Sequence, residues 1–138
     1  MKVVVDANII ISLLIAKGSK HKLFFSGELD IISPDIILFE IGKHWDEISE
    51  KSRLSKWELN LEFSAVREQM MVFSVEKSKW IKEGVKISPD PDDAEYFALA
   101  LKFNCPIWSE DKPLKQQQSK VEVMDTRKLL EKLGLIPV

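Results

Sequence analysis

Short apolar runs alternate with longer amphipathic stretches along the chain. Lys2 to Val5 is a β-branched run of strand length, which reads as a buried strand. Ile9 to Ala16 reads as a helix, with Asn8 placed to cap it and Gly18 to end it. Lys20 to Phe25 is a short helix closed by Gly27, and Asp30 to Ser33 a brief second strand. Pro34 is expected to open a helix from Asp35 to Glu50, since its missing N–H costs least in a first turn. Ser55 starts another helix, in which Trp57, Leu61, Ser64 and Ala65 follow helical spacing towards Met70. Met71 to Val75 is a third strand, and Glu76 to Lys86 a weaker helix interrupted by Gly84. Ser88-Pro89-Asp90-Pro91 is a rigid turn before the helix Asp92 to Phe103. Pro106 to Ser109 is a fourth strand, and Asp111 to Gln118 a loop with a short helix. Val121 to Met124 is the fifth strand, and Arg127 to Leu133 the closing helix.

Strands separated by helices imply parallel pairing through right-handed crossovers. The expected fold class is therefore α/β: a three-layer α/β/α domain spanning 1–138, with a central parallel sheet of about five strands. In such sheets ligands bind beyond the carboxyl ends of the strands. Composition adds limits. The 138 residues suffice for one hydrophobic core, and a hydrophobic share of 45% beside a charged share of 30% is ordinary for a soluble domain. Net charge is -2, from 20 Lys and Arg against 22 Asp and Glu, so no global basic footprint advertises nucleic acid. An acidic cluster around a metal would mask a local basic rim. Cys105 is the single cysteine; it excludes an internal disulfide and a cysteine-rich zinc site, and fits a reducing cytoplasm. Asp6 and Asn8 interrupt the apolar start, and the uncharged stretch from Ala7 to Ala16 is too short to span a bilayer. A strand followed by a helix is expected there, with no membrane association.

Three acids fall where the strand-end rule points. Asp6 ends the first strand, Glu40 sits on the helix after the second, and Asp111 follows the fourth in Trp108-Ser109-Glu110-Asp111. Asp93, in the first turn of the helix before the fourth strand, adds a fourth. Oxygen-rich, histidine-poor clusters suit hard cations such as Mg²⁺ or Mn²⁺. Four carboxylates in one cleft repel one another unless a cation neutralises them. Such a cation lowers the pKa of a bound water and stabilises charge on a phosphodiester.

Four segments carry a family resemblance. Val3-Val4-Val5-Asp6-Ala7-Asn8 resembles the opening of PIN domains. Pro34 to Glu40, with Glu40 inside an apolar helix, is similar to their second motif. Asp90-Pro91-Asp92-Asp93-Ala94-Glu95-Tyr96-Phe97-Ala98-Leu99-Ala100 resembles the third, and Ile107-Trp108-Ser109-Glu110-Asp111 the fourth. The motifs stand in family order and cover essentially the whole chain. The resemblance implies a Mg²⁺- or Mn²⁺-dependent endoribonuclease acting on single-stranded RNA, and many small members look like VapC-type toxins of toxin–antitoxin pairs. By that match Asp6, Glu40, Asp93 and Asp111 are the catalytic and metal-holding acids, and Asn8 and Ser109 support them by hydrogen bonds. Asp90, Asp92 and Asp93 compete for one role; Asp93 is preferred because it directly precedes Ala94 and the apolar helix face. Two departures stand out: Ser109 where Thr is commoner, and Glu110 where Asn or another polar residue is commoner. Glu110 either adds charge to the site or points to solvent.

Each acid also has an ordinary explanation. Asp6 can cap a helix, Asp93 can complement a helix dipole, Glu40 can lie on an exposed stripe, and Asp111 can be a turn residue. His21 and His44 read as surface or packing residues, and the four tryptophans as core or interface. Lys17, Lys20 and Lys112 are candidate contacts for RNA phosphates. A homodimer is expected, with the apolar segment Trp57 to Phe73 as its surface, as is an inhibitory antitoxin partner reaching the acidic cleft with a basic side chain. The competing functions are a PIN-like module that binds RNA or protein without turnover, and a phosphoryl-transfer module with an Asp nucleophile.

Overall fold

Val3, Val4 and Val5 are all fully buried, so the first strand is covered on both faces, as a parallel sheet requires. The computed structural model describes residues 1–111, 113–116, 118 and 120–136. Its elements begin with β1 (Lys2–Val5), α1 (Ala7–Ile15), α2 (Ser19–Phe24), β2 (Asp30–Pro34), α3 (Ile36–Lys43) and α4 (Trp45–Lys51). They continue with α5 (Lys56–Gln69), β3 (Met70–Phe73), α6 (Ile81–Ile87), a 3-10 turn (Pro91–Asp93) and α7 (Ala94–Phe103). The last are β4 (Ile107–Trp108), α8 (Pro113–Gln116), β5 (Val123–Met124) and α9 (Thr126–Lys132).

The described strands form one five-stranded sheet in the order β3-β2-β1-β4-β5, with every neighbouring pair parallel. Val4 pairs with Ile32 on one side and Ile107 on the other. Helices α7 and α6 cover one face, and α1 packs with α2 to α5 on the other. This is the expected three-layer α/β/α arrangement. The strand order reverses direction between β1 and β4. That is the topological switch point, where a crevice opens beyond the strand ends.

Several local expectations are corrected. Asn8 does not cap α1: the helix already includes Ala7, and the cap position belongs to Asp6. Pro34 does not open a helix. It ends β2 in register with Phe73, a place where its missing N–H breaks no ladder, since the next N–H, of Asp35, donates to the Phe73 carbonyl at 2.8 Å. The predicted helix Asp35 to Glu50 is two helices, broken at His44 with φ -101° and ψ 8°. Gly84 sits inside α6 rather than interrupting it. Ser55 starts α5 as expected, through a capping box with Glu58.

Candidate active site

Asp6 leaves β1 at the switch point, its N–H bonded to the Trp108 carbonyl of β4 at 3.0 Å. The residue is 6% exposed. Its carboxylate makes no close cap bond to α1, although the Ala7 and Asn8 N–H groups at the helix start favour its charged form. Instead Oδ2 accepts the Ser109 hydroxyl at 2.7 Å. The same hydroxyl oxygen accepts the Asp111 N–H at 2.9 Å. Ser109 is thus the joint between the two acids that end β1 and follow β4, and a hydroxyl suits the place because it donates and accepts at once.

Glu40 is half-buried on α3, and its Oε1 accepts the phenol of Tyr96 at 2.9 Å. Tyr96 is buried on α7, one turn beyond Asp93. Asp90 is occupied as a turn residue, accepting the Asp92 N–H at 3.0 Å. Asp92 is exposed. Asp93 is half-buried and occupies the cap position of α7 without making a side-chain cap bond.

The carboxylates feel one another. Burial raises the Asp6 pKa; the Ser109 hydroxyl opposes this, and the charge of Asp111 adds to it. Burial also raises Glu40, against the Tyr96 hydrogen bond and with the charge of Asp6. Asp93 is pushed up to about 7, by burial first and then by the charges of Asp6, Asp90, Glu40 and Asp111. Asp93 therefore shares one electrostatic field with all three other predicted acids. Tyr96 lies far above the usual phenol range through burial and the Glu40 charge, so it is a permanent donor.

A family model of the PIN domain matches residues 4–133. The chain belongs to the PIN-domain family. PIN domains are typically metal-dependent nucleases. The crystal structure of PAE2754 from Pyrobaculum aerophilum is similar in fold, at 17% identity and a TM-score of 0.67, covering 99% of this chain and 100% of that one. No curated protein matches the sequence.

The donor set of this PIN domain fits a hard divalent cation chemically. It is all oxygen, and a bound cation relieves both causes that raise Asp93, burial of its charge first and the repulsion of the neighbouring acids second. Among the described residues, no three His, Cys, Asp or Glu side chains stand in ligand geometry. His21 is taken up by Glu62 at 2.6 Å and His44 is exposed. Trp108 is fully buried and Trp57 is 72% exposed.

Of the predicted cations, Lys20 borders a shallow cavity of about 370 Å³ beyond the ends of β4 and β5, with Glu110, Asp125, Thr126 and Arg127 and none of the four acids. Lys17 is exposed and borders a different cavity, of about 470 Å³, with Leu13, Lys51, Arg53 and Leu54 and none of the four acids. Lys112 lies outside the described residues. Asn8 is exposed in the first turn of α1. One contributor is not evident in the sequence: Tyr96 reads only as part of an apolar helix face, and its partner lies 56 residues away. Glu110, expected to add charge to the site or to point to solvent, is exposed and also bonded, accepting the Thr126 N–H at 2.9 Å and the Thr126 hydroxyl; no local pattern signals a bond across that loop.

Proposed function

We propose that this PIN domain is a Mg²⁺- or Mn²⁺-dependent endoribonuclease that hydrolyses phosphodiester bonds of single-stranded RNA. The observation that carries the reading is the joint at the switch point: Asp6 accepts the Ser109 hydroxyl, whose oxygen accepts the Asp111 N–H, and Asp93 is raised by burial first and then by the charges of Asp6, Asp90, Glu40 and Asp111. Asp6, Glu40, Asp93 and Asp111 would hold the cation. The bound cation supplies positive charge against the phosphate and lowers the pKa of a water. Ser109 keeps one Asp6 oxygen turned towards β4, Tyr96 orients Glu40, and Asn8 offers an exposed amide beside Asp6. Lys17, Lys20 and Lys112 stay as candidate phosphate contacts.

The same reading takes 1–138 as a single domain, which the family match over 4–133 supports. It takes the protein as a cytoplasmic homodimer and the toxin of a toxin–antitoxin pair, with a basic side chain of the antitoxin entering the cleft. Among the described residues no helix is long and apolar enough to cross a membrane. Trp57 and Leu61, one turn apart on α5 and 72% and 52% exposed, support a dimer surface. Sedimentation of the wild type against Leu61→Glu should turn a dimer into a monomer.

Labelled single-stranded RNA incubated with Mn²⁺ tests the activity. Cleavage should need the metal, and Asp6→Asn should lower it by more than about a hundredfold. Cleavage that persists in the variant, or without metal, overturns the assignment. RNA bound but uncut by the wild type indicates a PIN-like binding module without turnover.

A further inference from the structure

Between Ser109, which donates to Asp6, and Asp111, whose N–H donates to Ser109, stands a third acid that faces elsewhere. Glu110 Oε1 accepts the N–H of Thr126 at 2.9 Å and the Thr126 hydroxyl. The Thr126 hydroxyl oxygen in turn accepts the indole N–H of Trp108 at 3.1 Å. Trp108 is fully buried in β4, and Thr126 is buried at the start of α9. The segment from 108 to 111 is therefore held twice. Ser109 and Asp111 are joined on the cleft side, and Trp108 and Glu110 are clamped to α9 on the other. Side chains alternate along an extended segment, so a residue between two cleft-facing positions is the one able to reach the neighbouring helix. The exposed Glu110 carboxylate accepts two donors on one oxygen, and the Thr126 hydroxyl donates to Glu110 while accepting from Trp108, so the buried indole N–H and the Thr126 hydroxyl are both satisfied.

We propose that Glu110 is a positioning residue that clamps the segment bearing Ser109 and Asp111 onto α9, and so sets where the Asp111 carboxylate stands relative to Asp6. The proposal rests on the metal-site reading above only for its consequence, not for the clamp. Outer hydrogen bonds of this kind fix the orientation of the groups that hold a metal, and losing them weakens metal affinity.

The test uses the full chain as wild type, Glu110→Ala, Glu110→Gln and Asp6→Asn, with thermal unfolding to confirm that each is folded. In metal-free protein, exchange of the Asp111 amide hydrogen should speed up about tenfold in Glu110→Ala. It should stay near the wild-type rate in Glu110→Gln, whose carbonyl oxygen still accepts both bonds. Calorimetric titration with Mn²⁺ should show about tenfold weaker binding for Glu110→Ala. Glu110→Gln should remain within about threefold of wild type, a neutral acceptor making somewhat weaker bonds than a charged one. An unchanged Asp111 exchange rate in Glu110→Ala overturns the clamp. So does a Glu110→Gln that is as impaired as Glu110→Ala, since charge rather than bonding would then be what matters. If the wild type takes up no Mn²⁺, or Asp6→Asn binds it equally, the metal-site reading falls while amide exchange still decides the clamp.

Discussion

A hydroxyl bonded to a carboxylate does different work at Ser109 and at Tyr96. Ser109 sits between two acids and links two strand ends, whereas Tyr96 reaches from a buried helix face to a single half-buried acid. The Tyr96 phenol lowers the Glu40 pKa against burial and the charge of Asp6. Removing it should therefore raise Glu40 further. If turnover needs Glu40 ionised, the acid limb of the pH–rate profile of Tyr96→Phe should move to higher pH, while the plateau rate changes little. The stability cost should be about 1.5–3 kcal/mol, the worth of a hydrogen bond to a charged group. An acid limb that does not move would separate Glu40 from the rate-determining ionisation. At this scale the sequence was readable wherever position alone carried the chemistry. Asp6 and Asp111 follow strands, and the strand-end rule finds them. Tyr96 was hidden because its spacing fits a core helix face and its partner is remote.

At the level of elements, α7 brings Asp93 and Tyr96 to the cleft, so its seat on the sheet matters. It is held there by α6, which crosses it at Gly84. A Cβ at Gly84 would run into the Ala94 carbonyl oxygen and stand 3.0 Å from the Ala98 nitrogen and 3.1 Å from its Cβ. Backbone atoms there cannot swing aside as a flexible side chain can. Gly84→Ala gains about 1 kcal/mol in helix propensity, but overpacking against backbone costs about 1–3 kcal/mol. Net destabilisation of up to about 2 kcal/mol is expected, as a lower urea midpoint at unchanged slope. Higher stability would mean that α6 and α7 separate without loss. Gly84 was legible only as a helix weakness, because close approach of a second helix leaves no trace in local periodicity. The same blindness joined α3 and α4 into one helix: Ile36, Ile37, Ile41, Trp45 and Ile48 keep helical spacing through His44, and the break there is conformational. Ser55 with Glu58 was readable because a capping box is wholly local.

Across the whole molecule, alternating strands and helices were enough to anticipate a parallel three-layer fold, but not the order β3-β2-β1-β4-β5, which long-range pairing decides. That order brings acids from β1, α3, α7 and the β4 loop to one edge, and the near-neutral total charge of -2 conceals the concentration. The concentration has a price in stability with a definite sign. Asp93 rises from 3.8 when free to about 7 in the folded protein. Below the lower value it is protonated in both states and carries no penalty. As pH climbs through this window the unfolded chain ionises first, so stability falls until the folded carboxyl ionises too. Discounted for its partial exposure, the loss is about 1–2 kcal/mol, and the raised Asp6 and Glu40 act in the same direction. Metal-free protein should therefore melt at a lower temperature at pH 8 than at pH 5. Mn²⁺ should reverse this, because a cation at a hundred times its dissociation constant stabilises by about 2.7 kcal/mol, and it binds ionised carboxylates. The melting rise with Mn²⁺ should be larger at pH 8 than at pH 5. Asp93→Asn should shrink both the pH slope and the Mn²⁺ response. A wild type whose melting temperature is indifferent to pH and to Mn²⁺ would show that the four acids neither repel nor share an ion.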